Sequence, residues 1–440
     1  MKKLLLCVPF LALMFQSCSN IEDEYMYDKG LYTINWEAAA DSSSVTIINR
    51  FWNETGNYFN YESDGYDETF HYWPQAHAMD VLIDAYIRTH DAKYKDCFDK
   101  WYAGINSKNG GSYWNNFYDD MEWIALTMIR LYEVTDEAKY LDTAKQLWNW
   151  IKEGWNEEYC NGGIAWNHGD VWSKNACSNG PAGLIACRLY QIEKVEEYKE
   201  WAIKIYQWER EHLFNPATGA VYDNIDGRTD NLNTLTLSYN QGTFLGTAHE
   251  LFKITGEASY LKDARKAAYF GISDGSMIDA GNNLLRDEGN GDGGLFKGIF
   301  IRYFVKLILD DNLEPIYQKK FITFFNNNAD ILWRKGVNKS DLLYGSSWAK
   351  GAEGSTQLTI QTSGCTLIEA KAYYEKYKNN KKHAKLLKTV LCAAFLTGCA
   401  PKGNSNPNNQ FRESPANAGL PLCSLFSTQH LSASRKIFPF

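Results

Sequence analysis

The sequence predicts an all-α fold, an (α/α)6 barrel of helical hairpins whose long loops gather on one face. Three observations lead there. A helix–turn–helix unit recurs along the chain, strand signals are almost absent, and short turns alternate with long loops.

The clearest copies of the unit are 131–145 and 251–265, each the end of one helix, a Thr-Asp or Thr-Gly turn, and the start of the next. Weaker copies lie at 86–94, 189–198 and 309–317, a sixth first helix at 362–377, and an unpaired helix at 43–58 supplies its mate. About six pairs close the count, and neither end shows the polar cap that an open solenoid requires. The turns inside pairs are short. The loops between pairs (107–118, 154–177, 214–239, 273–296, 334–361) are rich in Gly, Asn, Trp and Tyr and lead into the inner helices, the arrangement in which binding residues collect on a rigid scaffold.

The N-terminus reads differently. Met1-Lys-Lys and the apolar run after it form a secretory signal over 1–17, ending in a segment similar to a bacterial lipobox. That resemblance implies cleavage before Cys18 and acylation of its thiol, with 18–41 as an acidic tether, 42–378 as the catalytic domain and 379–440 as an atypical tail. The expected location is the bacterial cell envelope, on the outer-membrane surface or the periplasmic face, with the membrane touched only through the lipid. An incidental Cys18 after an ordinary signal is the other reading. In the tail, a basic and apolar stretch ending at Cys399 reads either as a last amphipathic helix or as a fusion at a gene boundary.

Composition narrows the function. A net charge of −8 argues against a nucleic-acid surface, and 15 Trp with 28 Tyr suit either a sugar cleft or plain helix packing. Ten Cys occur without a Cys-x-x-Cys pair or zinc spacing, so no metal and no cofactor is expected. A disulfide among Cys160, Cys177 and Cys365 stays open in an oxidising compartment. The acidic run 286–294 has Gly where a calcium-binding EF-hand needs ligands, and reads as a mobile loop.

Asp119 and Asp120 stand at the mouth of an apolar run in which Met121, Ile124, Ala125, Met128 and Ile129 recur at helical spacing. One aspartate can serve as a helix cap; a second beside it is a repulsive cost that needs a reason. Paired carboxyls supply it, because glycosidases flank the scissile bond with a nucleophile and an acid/base. Retaining enzymes hold the two roughly 5–5.5 Å apart, a spacing that neighbouring side chains reach readily. A helix start favours the ionised form of the nearer carboxyl, and its charge raises the pKa of the other.

Tyr118-Asp-Asp, Gly162-Gly-Ile-Ala-Trp166, Lys174-Asn-Ala-Cys-Ser-Asn-Gly180, Ser238-Tyr-Asn-Gln-Gly242 and Phe296-Lys-Gly298, in that order, resemble glycoside hydrolase family 76, the bacterial endo-α-1,6-mannanases. The resemblance covers about 61–377. It implies an (α/α)6 barrel that cleaves α-1,6-mannan with retention, acting as a monomer on mannan polysaccharide or oligosaccharide. Asp119 would be the nucleophile and Asp120 the acid/base. Tyr118, Trp166, Asn175, Asn179, Tyr239, Asn240, Gln241 and Lys297 would bind substrate, Trp166 by stacking on a mannose. A glycan-binding lipoprotein without turnover and an (α/α)6 glycosidase or lyase of other specificity are the alternatives.

Overall fold

The computed structural model describes residues 32–67 and 69–397. Its helices are α1 (Trp36–Thr46), α2 (Tyr72–Thr89), α3 (Phe98–Lys108), α4 (Tyr118–Thr135), α5 (Ala138–Lys152), α6 (Ala176–Glu193), α7 (Glu196–His212), α8 (Ser238–Thr255), α9 (Ala258–Ser273), α10 (Gly293–Ile308), α11 (Pro315–Ile331) and α12 (Leu358–Thr397). The chain divides into two units at Glu375, and the first contains every site discussed below. The leader, Cys18, Cys399 and the Asn/Pro-rich tail lie outside the described residues, among which no helix is long and apolar enough to cross a membrane.

Even-numbered helices form the inner ring and odd-numbered ones the outer ring, the (α/α)6 barrel that the repeats predict. In chain order α4 packs against α2 and α6, and α8 against α6 and α10. Helix α4 of the inner ring is enclosed on all sides, buried at Met121 through Leu131 without a break. Outer helices such as α5 bury one stripe, Tyr140, Thr143, Ala144, Leu147, Trp148 and Ile151, at the spacing an amphipathic helix requires.

The recurring turn has one physical form. His90, Asp136, Lys194 and Gly256 end α2, α4, α6 and α8 in the left-handed region, each N–H bonding back to the carbonyl four residues earlier. One left-handed residue reverses the chain, so the outer helix starts at once.

The front of the chain departs from the expected helix at 43–58. Asn35 caps α1 by accepting from Ala38 N at 3.1 Å, so the helix starts at Trp36. It passes through a π-turn, Ile47–Phe51, and gives way to a hairpin pairing Trp52–Asn53 with Tyr58–Phe59. Asn53 makes the turn by accepting from Thr55 N and Gly56 N. Short antiparallel pieces likewise close the other loops, the largest being Ser173–Asn175, Asn224–Asp226 and Asn231–Asn233.

Candidate active site

Asp119 and Asp120 are the second and third residues of α4, and neither caps it: Phe117 holds the cap position without a side-chain bond. Tyr118 N–H instead donates to Trp166 O at 3.0 Å, which fastens the loop before α6 to the helix start. Both residues are half-buried at the mouth. Asp119 accepts the Asp120 N–H at 3.1 Å, and the Cys177 thiol and Trp166 indole beside it favour its charged form.

Burial outweighs those donors and pushes the Asp119 pKa up to about 6. The expected gain for the charged form at a helix start is therefore present but smaller than the desolvation cost. Asp120 is held well above the carboxylate range, first by burial, then by the charges of Asp119 and Asp292. Two identical side chains thus differ in acidity, with Asp119 the more readily ionised.

Trp166 reaches this position through a folded-back loop. Gly162 and Gly163 have φ of +136° and +81°, and a Cβ at either would strike Trp155 or Trp208 at 2.5–2.6 Å. The Gly-Gly-Ile motif is therefore a steric requirement of the turn that presents Trp166. Trp166 is 36% exposed, its indole beside Asp119 and its ring tilted at 53° to that of Phe117, 5.0 Å between centroids. Tyr239 sits beside Cys177, and Cys177 beside Asp119. The Tyr239 ring stacks on Phe296 at 3.9 Å.

Other expected substrate ligands lie elsewhere. The Tyr118 ring is buried, stacked on His168 at 4.3 Å with its far end against Gly154, away from the carboxyl pair. Asn179 is fully buried and holds Ile164 N, Ile164 O and Asn175 O at 2.8–3.0 Å. Gln241, also fully buried, accepts from Val221 N and donates to Gly219 O and Ala267 O. Asn240 is buried on Asp223 at 3.1 Å, and Asn175 accepts from Ser173 Oγ at 2.7 Å beside the start of α6. Lys297 is buried over Trp348, its ammonium 4.0 Å from Asp287 and its pKa lowered by burial. Asn179 and Gln241 thus satisfy backbone groups, whereas Asn240 and Asn175 pair with side chains and Asn240 Oδ1 has no protein partner among the described residues.

The site also contains residues that the sequence reading passed over. The run 286–294 is pinned rather than mobile. Glu288 accepts from both N and Oγ of Ser238, Gly291 N donates to Gln357 at 2.7 Å, and Asp292 accepts the Trp73 indole at 3.0 Å. Asp292 thereby becomes a third carboxylate near the dyad. Its signal was available, since Trp73 occupies the same helix position as Asp119. Among the described residues no group of three or more His, Cys, Asp or Glu is placed to hold a metal ion. Cys160, Cys177 and Cys365 are each free thiols.

A double ring of helices with a pair of unequal carboxyls at its mouth defines a class, the (α/α)6 barrels with an acidic dyad. Residues 35–383 match the model of Glycosyl hydrolase family 76, and the chain belongs to that family. It is 40% identical to the α-1,6-mannanase of Salegentibacter sp. HEL1_6, with a TM-score of 0.74 over 77% of this chain and 99% of that one. An inactive variant of that enzyme, with two consecutive aspartates replaced by alanine, is solved in complex with α-1,6-mannotetrose, and matches at 39% identity and a TM-score of 0.74 over 77% and 99% of the two chains. Mannan endo-1,6-alpha-mannosidase DCW1 of Candida glabrata is 26% identical over 309 residues, 62% of this chain and 66% of that protein. The chain thus spans about two thirds of the length of this curated relative.

Proposed function

We propose that the protein is a retaining endo-α-1,6-mannanase, tethered to a bacterial envelope through Cys18. The observation that carries the reading is the pair of adjacent carboxyls of different acidity at one mouth, supported by the inactive double-aspartate variant of the Salegentibacter enzyme and its bound α-1,6-mannotetrose.

The Asp119 carboxylate attacks the anomeric carbon while Asp120 gives its proton to the departing glycosidic oxygen. The sugar is left as an ester on Asp119. Water then attacks the same carbon, Asp120 takes its proton, and Asp119 leaves as carboxylate, so two inversions restore the starting anomer. The Trp166 N–H and the Cys177 thiol favour the charged form of the attacking carboxyl, and Tyr239 flanks the thiol. The envelope assignment draws on the lipobox-like segment ending at Cys18.

The test is to incubate the purified protein with debranched yeast mannan and follow by NMR which anomer forms first. The α-anomer is expected. The β-anomer first would replace retention with inversion, and unsaturated products absorbing in the ultraviolet would replace hydrolysis with elimination. Asp120→Asn should lower kcat by roughly 10²–10⁴-fold, the usual worth of a general acid. Full activity in Asp119→Asn would sink the assignment of the nucleophile.

A further inference from the structure

Below the mouth the inner ring carries charge where an all-apolar core would be simpler. A cavity of about 20 Å³ lies there, room for one guest the size of a water molecule. Its walls come from four inner helices: His77 and Asp80 of α2, Arg130 of α4, Arg188 of α6, and Arg302 and Lys306 of α10. Contributions from facing helices place it on the axis of the ring. His77 and Trp123 each stand one turn further along their helices than Trp73 and Asp119, with 4.8 Å between the centroids of the His77 and Trp123 rings. The cavity therefore begins a turn below the carboxyl pair and belongs to a different level of the barrel.

The lining is unbalanced in charge. Among the described residues it holds three guanidinium groups and one ammonium against a single carboxylate, and that carboxylate, Asp80, is 2.9 Å from Arg130 and 3.7 Å from Arg302. The other acids of the network lie outside the lining. Asp84 pairs with Arg130 and Arg302, Glu133 with Arg188, and Glu250 with Lys253 at 3.0 Å and Lys306 at 3.9 Å. A guanidinium held on one edge still has N–H donors on its other edge, so the basic groups are anchored from outside and can converge inward.

Two further groups agree on the sign of the guest. His77 is 5% exposed, and its Nε2 finds no hydrogen-bond partner among the described residues. Burial pushes its pKa down to about 3, and Arg302 and Arg130 push the same way against Asp80, so the ring is neutral and keeps one N–H to donate. The Lys306 ammonium is disfavoured by burial and then by Arg188, so positive charge is already in excess around it. A guest cation would meet repulsion, and a bulky oxyanion exceeds the space.

We propose that this cavity binds a monovalent inorganic anion of chloride size, held by Arg188, Lys306 and the His77 N–H. The ion is a countercharge at the point where the inner helices crowd their basic side chains, so it stabilises the closed ring. The site does not depend on the hydrolase reading.

The measurement is the thermal midpoint of the purified full chain in sodium chloride, sodium bromide and sodium gluconate at equal ionic strength, with bromide-soaked crystals to locate the ion. At about ten times the dissociation constant the folding equilibrium should shift roughly elevenfold, a midpoint about 2–4 °C higher in chloride or bromide than in gluconate. An anomalous bromide peak is expected between His77 and Lys306. Lys306→Met keeps the length of the side chain and removes the charge, and the halide advantage should vanish in it. Equal wild-type midpoints in halide and gluconate overturn the proposal, whether or not the variant folds; a bromide peak without a midpoint difference marks an adventitious ion only and overturns it too. A halide effect with its bromide peak elsewhere, or undiminished in folded Lys306→Met, also overturns it, by placing the anion outside the cavity. Hydrolysis of mannan is read separately, so failure here leaves that reading untouched.

Discussion

Asp119 must be ionised to attack, so activity is lost as pH falls through its pKa of about 6 and is retained above it. Asp120 must hold its proton, so a second limb appears at higher pH, and the two limbs belong to the pair. Trp166→Phe removes a donor that favours the Asp119 carboxylate. The acid limb of kcat/KM should move to higher pH, with a loss of about tenfold at pH 5 and little change at pH 8, the worth of one charge-assisted bond. An unshifted acid limb would remove the indole from the nucleophile's environment. Deeper in the wall, Glu122 and Glu209 are fully buried with none of their four carboxyl oxygens bonded, and burial holds both pKa values well above the ordinary range. In acid, folded and unfolded chains both keep these protons. As pH rises past the ordinary glutamate value the unfolded chain releases them and the folded one does not, so stability falls. Glu122→Gln has no proton to release. Its urea midpoint should decline less than that of wild type between about pH 4 and pH 7.

At the level of the helix, the fourth residue of an inner helix is repeatedly a carboxamide. Gln75, Asn179, Gln241 and Gln361 are all fully buried and grip the loop ahead of their own helix: Gln75 takes Phe59 N and O at 2.8 Å, and Gln361 takes Tyr344 N at 3.0 Å. A primary amide has the donor and acceptor of a peptide, so it pairs with a passing backbone as a strand would, at a place where no strand fits. Gln241→Ala strands one N–H and two carbonyls and should cost about 1–3 kcal/mol for the buried groups left unpaired, seen as a lower urea midpoint at unchanged slope. This device also marks the limit of what the sequence discloses. The repeats were legible because a left-handed residue after Thr is a local signal, and their register correctly placed Asp119, Cys177, Tyr239 and Trp73 at one level. Register says nothing about which way a side chain turns. Asn179 and Gln241 therefore read as sugar ligands, although they face the base of their loops. The loop 286–294 read as mobile for a related reason: its anchors, Ser238, Trp73 and Gln357, come from three other loops and helix starts.

The whole molecule is a ring, and a ring needs a seam. Arg88 of α2 grips Glu369 of α12 through two bonds of 2.9 Å and Asp41 of α1 at 2.6 Å. Ser44 adds a bond to Glu369 at 2.6 Å, Gln361 donates to Thr46, and Ser43 meets the Tyr344 hydroxyl. Glu369→Ala leaves Arg88 with one exposed partner and should cost about 3–5 kcal/mol, the range for breaking a buried ion pair. Thermal or urea denaturation checks the value, and a loss below about 1 kcal/mol would place the closure elsewhere.

That seam joins positions 301 and 325 residues apart. A nascent chain leaving the ribosome offers its leading helix long before the mate for that helix has been made. Until α12 arrives, Ala40, Ile47 and Phe51 have no finished groove to enter, and non-local closure of this kind is slow. Polypeptides halted before residue 358 should consequently leave α1 open to protease cleavage, and the released full-length chain should protect it.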